Sequence, residues 1–304
     1  MKKSKIIEHW SDTKTRNSFN KDIYWLANPL IQRYYNKMAT NGCENLHWLN
    51  YVFNKYLSQK KLTGRILSLG CGKGELERHI ASLNSSLNIE ALDISPINVE
   101  IASKAAAENG FERTKYLVAD IEKMKLQGEY YDAIFFNSSL HHISKIGSIL
   151  KKVNKAMKRN GCLIINEYVG PNRFNIPQRE KKIIQSVFNL IPPRYRTSLA
   201  KESFHKLLNR VSFFDPKEVE IVDPSEAINS EAIIPALYRY FDVIEHNKIG
   251  GTMFHLILHN IAGHFHKEDK ESEKVLDFLC KTEQLLIELG ELSNHFALLI
   301  AKKK

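Results

Sequence analysis

The sequence predicts an α/β protein: a doubly wound, mainly parallel sheet of seven strands, with a helical N-terminal extension and an inserted cap. Three observations carry this expectation. Residues 65–169 alternate between short apolar runs and amphipathic helical patterns, the signature of strand–helix–strand units. The first apolar run, Ile66-Leu67-Ser68-Leu69, passes straight into a glycine turn, Gly70-Cys71-Gly72-Lys73-Gly74, and then into a helical pattern. Two further strand-like runs, 241–249 and 296–301, complete the sheet near the C-terminus.

The elements follow in order. Residues 1–60 read as a helical, aromatic-rich extension, including Trp10, Phe19, Tyr24, Trp25, Tyr34, Tyr35 and Trp48. It is broken at Asn28-Pro29 and Asn41-Gly42, and the aromatics are expected to pack. Residues 61–170 form the core, with strands at 65–69, 88–93, 115–119, 131–137 and 161–168. Helices are expected at 75–84, 96–109 and 145–158. Leu76, Ile80 and Leu83 keep helical spacing, Ser95-Pro96 reads as a cap with proline at the first position, and Asn109-Gly110 and Asn160-Gly161 read as helix stops. Residues 171–240 carry seven prolines, at 171, 177, 192, 193, 216, 224 and 235, and read as a cap over the strand ends. Residues 241–304 return to the sheet: a strand at 241–249, a break at Gly250-Gly251, an amphipathic helix over 273–289, and a last strand at 296–301 expected at the sheet edge.

Composition narrows the partners. Lys and Arg number 44 against 34 Asp and Glu, a formal charge of +10. The basic residues are scattered, densest at the two termini and over 151–158, so a nucleic-acid partner is disfavoured. Cys43, Cys71, Cys162 and Cys280 lie far apart and make no C-x-x-C pair. Reduced thiols in the cytoplasm are expected, with neither a disulfide framework nor a zinc site. The basic start is followed by Glu8-His9-Trp10 rather than an apolar run, and no stretch is long and apolar enough to span a membrane.

The glycine turn discriminates between ligands. A strand, a glycine turn and a helix let backbone approach a ligand and aim free helix N–H groups at it. A dinucleotide fingerprint needs G-x-G-x-x-G, but positions 70–75 run Gly-Cys-Gly-Lys-Gly-Glu; a G-x-x-x-x-G-K-[ST] phosphate loop is absent as well. The G-x-G-x-G spacing resembles the loop of class I S-adenosylmethionine-dependent methyltransferases. The resemblance covers roughly residues 60–300 and implies a Rossmann-like fold and S-adenosyl-L-methionine as cofactor, with S-adenosyl-L-homocysteine as product. Three shorter segments, 167–174, 223–228 and 289–299, look like a bacterial group associated with surface-polysaccharide biosynthesis.

The resemblance also implies site residues. Gly70, Cys71, Gly72 and Gly74 hold the cofactor's tail. Asp93 closes the second strand 23 positions after Gly70 and is expected on the ribose hydroxyls, where a carboxylate accepts two donors at once. Asp120 is expected to face the adenine amino group, between Ile94 and Ile121. Asn137 and Ser138, at the end of the fourth strand, are expected beside the methyl donor.

Methyl transfer from a sulfonium to a hydroxyl needs positioning and a base for the departing proton. His141 and His142 are the candidates, since imidazole titrates near neutral pH. On a strand end adjacent side chains diverge, so one of the two is expected to face the acceptor, with His142 preferred. Glu167 ends the fifth strand and is expected to bind a sugar hydroxyl, orient a histidine or act as base. Tyr168, Arg173 and Glu226 are expected on the acceptor, Arg173 against an anionic group. The segment around Glu226 also reads as a helix start. His255 and His259 stand i, i+4 but lack the glutamate of a zincin motif, so no metal is expected. The function expected is O-methylation of a small molecule or glycan-linked group. An RNA methyltransferase and a non-catalytic cofactor-binding subunit are the alternatives; the first lacks both an [Asn/Asp]-Pro-Pro-[Tyr/Phe] tetrapeptide and a recognisable RNA-binding module.

Overall fold

The computed structural model describes residues 2–11, 23–58 and 64–304. Phe19 and the expected boundary at 60/61 lie outside the described residues. The N-terminal extension supplies α1 (Lys2–Ser11), α2 (Pro29–Ala39) and α3 (Trp48–Val52). The core follows as β1 (Arg65–Leu69), α4 (Glu75–Leu83), β2 (Asn88–Asp93), α5 (Pro96–Glu108), β3 (Thr114–Val118), β4 (Tyr131–Asn137), α6 (Ile146–Ala156) and β5 (Met157–Tyr168). The cap holds α7 (Gln178–Asn189), α8 (Pro216–Val222) and α9 (Ile233–Tyr240), and the chain closes with β6 (Phe241–Gly250), α10 (Phe254–Ile257), α11 (Lys270–Glu288) and β7 (Phe296–Lys303).

The strands form one seven-stranded sheet in the order β3-β2-β1-β4-β5-β7-β6. The first five are parallel, and β7 runs antiparallel to both β5 and β6. The last strand, expected at the edge, therefore lies inside the sheet, and β6 takes the edge. The reason is visible in its composition: Ala297 to Ala301 are all fully buried, and a strand covered on both faces belongs inside a sheet. The helix expected to run to residue 158 stops at Ala156, and Asn160-Gly161 lies inside β5 rather than ending a helix. The β4–β5 pairing shifts register between Tyr131 and Ala133, which accommodates that early start.

Side-chain alternation splits the core in two. Ile66, Ala133, Phe135, Cys162, Ile164, Leu298 and Ile300 face a layer built from the N-terminal extension and the cap, including Trp25, Ile31, Tyr34, Leu49 and Phe188. Leu67, Ile134, Phe136, Leu163, Ile165 and Leu299 face the opposite layer, with Ile149, Leu150, Val153 and Leu237. The extension's aromatics are thus mostly packing residues, as expected, and they bolt it to one face of the sheet.

Three side-chain caps, two of them buried, position the ends of helices around the sheet. Asn28 Oδ1 accepts from Leu30 and Ile31 at the start of α2, Ser95 accepts from Asn98 at the start of α5, and Asp269 accepts from Glu271 and Ser272 at the start of α11. Among the described residues no helix is long and apolar enough to cross a membrane.

Candidate active site

The site begins where β1 runs out. Gly70 N and Cys71 N both donate to the Leu92 carbonyl, at 2.8 and 3.0 Å, which ties the glycine turn to the end of β2. Gly70 has a φ of +80°, and a Cβ there would collide with the Cβ of Ser139 in the turn after β4. Gly74, with a φ of +77°, leads into α4, and a Cβ there would sit 2.6 Å from the Tyr116 hydroxyl and 2.8 Å from the Ala102 Cβ. Glycine is required at both positions by backbone and by space. The other side of the loop is open: a Cβ on Gly72 would meet nothing within 4 Å. Cys71 is free, and burial pushes its thiol up, so it packs rather than reacts.

Asp93 ends β2 and is 9% exposed. Its Oδ2 accepts from Gly72 N at 2.8 Å and its Oδ1 from Ser95 N at 2.8 Å. Burial raises its pKa, and those two backbone donors work the other way. One carboxylate therefore fixes both the glycine turn and the cap of α5, and each oxygen keeps further acceptor capacity for a pair of hydroxyls. Ile121 is buried and Ile94 half-buried, beside the end of β2. Asp120 is half-exposed; Oδ1 accepts from Glu122 N at 3.1 Å, and Oδ2 is ion-paired with Lys3 of α1. The residue expected on the adenine thus already holds a cation from the N-terminal helix.

The turn after β4 is built on Glu167. Its Oε2 accepts from Ser139 N at 2.9 Å and Leu140 N at 2.6 Å, and its Oε1 accepts from Tyr168 N at 2.7 Å and bonds His141 Nδ1. This fully buried carboxylate thus has four partners within the protein, and one of them is the His141 ring. Asn137 Oδ1 accepts from Asn166 at 2.9 Å, and Ser138, with a φ of +49°, is exposed at the turn.

His141 and His142 lie on a single helical turn, Leu140–His142, rather than on the strand. That corrects the expectation that they diverge: their ring centroids are 4.1 Å apart, and both reach Glu226. His141 Nε2 lies 3.4 Å from Glu226 Oε1, and His142 Nε2 lies 4.0 Å from Glu226 Oε2. Ser225 Oγ donates to Asp223 Oδ1 at 2.7 Å, so it receives the Nδ1–H of His142, 3.2 Å away. His142 then presents its Nε2 lone pair towards Glu226. Burial disfavours the charged form of His141, but Glu167 and Glu226 outweigh it and push its pKa up to about 10. Burial and the neighbouring His141 push His142 down. Glu226 is raised by burial and more strongly lowered by the two histidines, to about 2. The resting arrangement is an imidazolium at 141, a neutral imidazole at 142 and a carboxylate at 226.

The cap segment carrying Glu226 is a turn, not the helix start that its sequence suggested. Asp223 Oδ1 accepts from Ser225 N at 2.8 Å, and Arg173 secures the segment from below. Its guanidinium donates to the carbonyls of Asp223, Pro224 and Glu226 at 3.2, 2.7 and 2.7 Å. Arg173 was expected to hold an anionic acceptor; its two terminal nitrogens are instead spent on backbone, making it a clamp on the cap. Tyr168 is 3% exposed, with its hydroxyl on the Pro171 carbonyl at 2.9 Å and its ring against His141 and Phe174.

Several residues of the site escaped the sequence reading. Trp10 of α1 stands edge-on to His142, with centroids 5.3 Å apart, and Ser11 Oγ lies 3.3 Å from Ser95 Oγ. With Lys3 on Asp120, α1 therefore crosses the carboxyl ends of the strands. Asp223 and Ser225 were within a segment singled out by sequence, but a role behind His142 needs the fold. His255 Nδ1 donates to the Gly251 carbonyl at 2.7 Å, and His259 is exposed.

A glycine turn at the carboxyl end of a parallel β1, tied to an acidic residue that ends β2, is the arrangement with which α/β domains bind nucleosides. The chain belongs to the family described as "Methyltransferase domain", whose pattern matches residues 60–211, half of the chain. A malonyl-[acyl-carrier protein] O-methyltransferase of Legionella pneumophila is 35% identical over 124 residues, 40% of this chain and 42% of that protein. A ubiquinone biosynthesis O-methyltransferase of Rickettsia prowazekii is 27% identical over 157 residues, 49% and 60% of the two chains. The chain spans about half the length of these curated relatives. Among solved structures, geranyl diphosphate C-methyltransferase from Streptomyces coelicolor, in complex with Mg2+, geranyl diphosphate and S-adenosyl-L-homocysteine, covers 99% of this chain at a TM-score of 0.56 and 10% identity, with 97% of that chain covered. The [4+2]-cyclase SpnF aligns with 92% of this chain and 94% of its own at a TM-score of 0.50 and 16% identity. Both show the shared fold. S-adenosyl-L-methionine is the cofactor of this class, and the open side of Gly72 with the spare acceptor capacity of Asp93 fits it.

Proposed function

We propose that this chain is an S-adenosylmethionine-dependent O-methyltransferase acting on a hydroxyl of a small molecule or glycan-linked group, in the setting of surface-polysaccharide biosynthesis. The observation that carries the reading is the convergence of His141, His142 and Glu226 at the end of β4, next to a glycine turn packed on Ser139. Gly70, Cys71, Gly72, Gly74, Asp93, Ile94, Asp120, Ile121, Asn137 and Ser138 line the cofactor's side. Once bound, the cofactor supplies a methyl carbon already activated by a sulfonium. What remains for the protein is to aim the acceptor oxygen and take its proton. The histidine–carboxylate cluster meets that need, with Glu167 orienting His141 and Asp223–Ser225 orienting His142. Trp10 and Tyr168 flank it, which suits an acceptor with an apolar face, and the cap over 171–240 forms its surroundings.

The names of the two bacterial relatives, both O-methyltransferases, support transfer to oxygen. The scattered basic charge offers no nucleic-acid track. The reading is tested by following S-adenosyl-L-homocysteine production against nucleotide sugars, polyols, phosphorylated glycans and tRNA. Turnover with a hydroxylated small molecule or glycan supports it. Turnover with tRNA alone, weakening steeply with salt, moves the protein to the RNA reading, and absence of cofactor binding in calorimetry removes the methyltransferase reading altogether.

A further inference from the structure

We infer that His141, His142 and Glu226 form a binding site for a divalent first-row transition ion, with zinc the best-matched probe, at the place where the acceptor hydroxyl docks. The inference rests on the proposed methyl-acceptor role of this cluster and changes how it would work: a bound ion would displace the Nε2 proton of His141 and occupy both Nε2 lone pairs, and it, rather than a histidine base, would acidify the acceptor hydroxyl, whose proton would pass to the free oxygen of Glu226 or to solvent. One ligand atom from each residue lies within 4.8 Å of the other two. Two imidazoles and one carboxylate are a donor set that suits zinc and iron and leaves positions open for substrate. Tetrahedral zinc with bonds near 2.0–2.1 Å spaces its ligand atoms about 3.4 Å apart. His141 Nε2 and Glu226 Oε1 already have a 3.4 Å spacing. His142 Nε2 lies 4.0 Å from the other carboxylate oxygen, Oε2, so closing the set on one ion needs the ligand atoms, now within 4.8 Å of one another, to draw in by up to about 1.4 Å.

The surroundings are those of a metal centre. A ligating histidine donates its other ring nitrogen to a carboxylate or another acceptor, which fixes the ring. His141 Nδ1 is on Glu167, and His142 Nδ1 is on Ser225, itself hydrogen-bonded to Asp223. Both Nε2 atoms are thereby aimed at one carboxylate. Asp223 is 2% exposed, and its Oδ2 has no hydrogen-bond partner among the described residues while lying 3.7 Å from His142 Nδ1. Three carboxylates, Glu167, Asp223 and Glu226, thus crowd two imidazoles, an electron-rich pocket that a dication neutralises. Glu226 is the most accessible of the three ligands, its side chain 24% exposed against 9% and 17% for the histidines, so the ion enters from the cap side.

The test uses the whole chain, stripped with chelator and titrated with Zn2+ and, for its visible spectrum, Co2+. One equivalent bound at micromolar free metal, with the absorption of low-coordinate cobalt, is expected. Glu226→Gln and His142→Ala should each weaken binding at least about 100-fold, and Asp223→Asn about 10-fold through the outer shell. His266→Ala, at the exposed His266–Glu268 pair, should leave it unchanged. S-adenosyl-L-homocysteine affinity, measured on the same samples, reports that each variant is folded. No stoichiometric uptake, uptake indifferent to Glu226→Gln and Asp223→Asn, or uptake lost with His266→Ala overturns the inference. Cofactor binding without metal uptake overturns the metal alone, whereas failure to bind cofactor overturns the methyltransferase reading.

Discussion

Glu226 Oε1 stands 3.4 Å from His141 Nε2, although 85 positions separate the two residues. The contact joins the cap to the turn after β4, and two further ties make it persistent. Arg173 holds the carbonyls of the cap segment, and Ile228 N donates to the His141 carbonyl at 3.1 Å.

Loss of the Arg173 clamp should loosen that segment without unfolding the protein. Arg173→Ala is expected to raise amide exchange across residues 225–228 by about 10-fold or more, since three charge-assisted hydrogen bonds are lost. Exchange equal to wild type would show that the cap is held by something else.

Asp93 should dominate cofactor affinity. Asp93→Ala removes the acceptor proposed for the ribose and also frees Gly72 N and Ser95 N. Calorimetry with S-adenosyl-L-homocysteine is expected to show a loss of at least about 100-fold, in line with a charge-assisted pair of hydrogen bonds. Unchanged affinity would reject the ribose contact.

Lys3 competes for the carboxylate proposed to meet the adenine amino group. Lys3→Ala leaves Asp120 Oδ2 with only the looser Lys123 pair at 4.0 Å, and the affinity for S-adenosyl-L-homocysteine should rise by a few-fold, the value of a partly exposed ion pair. A weaker complex would mean that Lys3 itself helps to hold the cofactor.

Gly74→Ala should be costly to folding. The added Cβ needs a left-handed backbone and meets both Tyr116 and Ala102, so a destabilisation of roughly 2–4 kcal/mol is expected in urea unfolding. Gly110→Ala has the same backbone conformation but open space and should cost about 1 kcal/mol. Equal losses at the two positions would remove the steric argument.

The pH dependence of stability should carry the mark of Glu283. This fully buried carboxyl accepts from Gly251 N, Met253 N and the Tyr34 hydroxyl, at 2.9, 2.6 and 3.3 Å. Burial nonetheless raises its pKa from 4.5 to about 7. The folded state then holds a proton that the unfolded state has released. Its contribution is complete below pH 4.5 and is lost as pH rises through 7, a change on the order of 3 kcal/mol. Glu283→Gln should flatten the fall in urea midpoint between pH 5 and 8, leaving the part due to Glu77, which burial also raises to about 7. Parallel pH profiles for the two proteins would contradict this assignment.

The glycine turn and the acidic end of β2 were legible because they are local. Gly70 and Asp93 lie at strand ends whose positions follow from hydrophobic runs, Gly74 at the start of the helix that follows, and a parallel sheet brings such ends to one edge whatever the side chains elsewhere. The same reasoning misplaced β7, since an apolar run shows burial on both faces but not which strands lie beside it. It also sent His141 and His142 to opposite sides, because a single helical turn replaced the strand geometry on which divergence depends.

The sequence by itself determined the sheet, its alternation and the glycine turn, all features fixed by short-range periodicity and backbone sterics. Only the tertiary structure decided that Glu167 bonds the His141 ring, that Arg173 clamps backbone, and that Glu226, Asp223 and Trp10 converge on the histidines. Those outcomes depend on where a proline-broken cap and an N-terminal helix come to rest. Their resting places are set by packing between residues far apart in the chain, for which no local pattern exists.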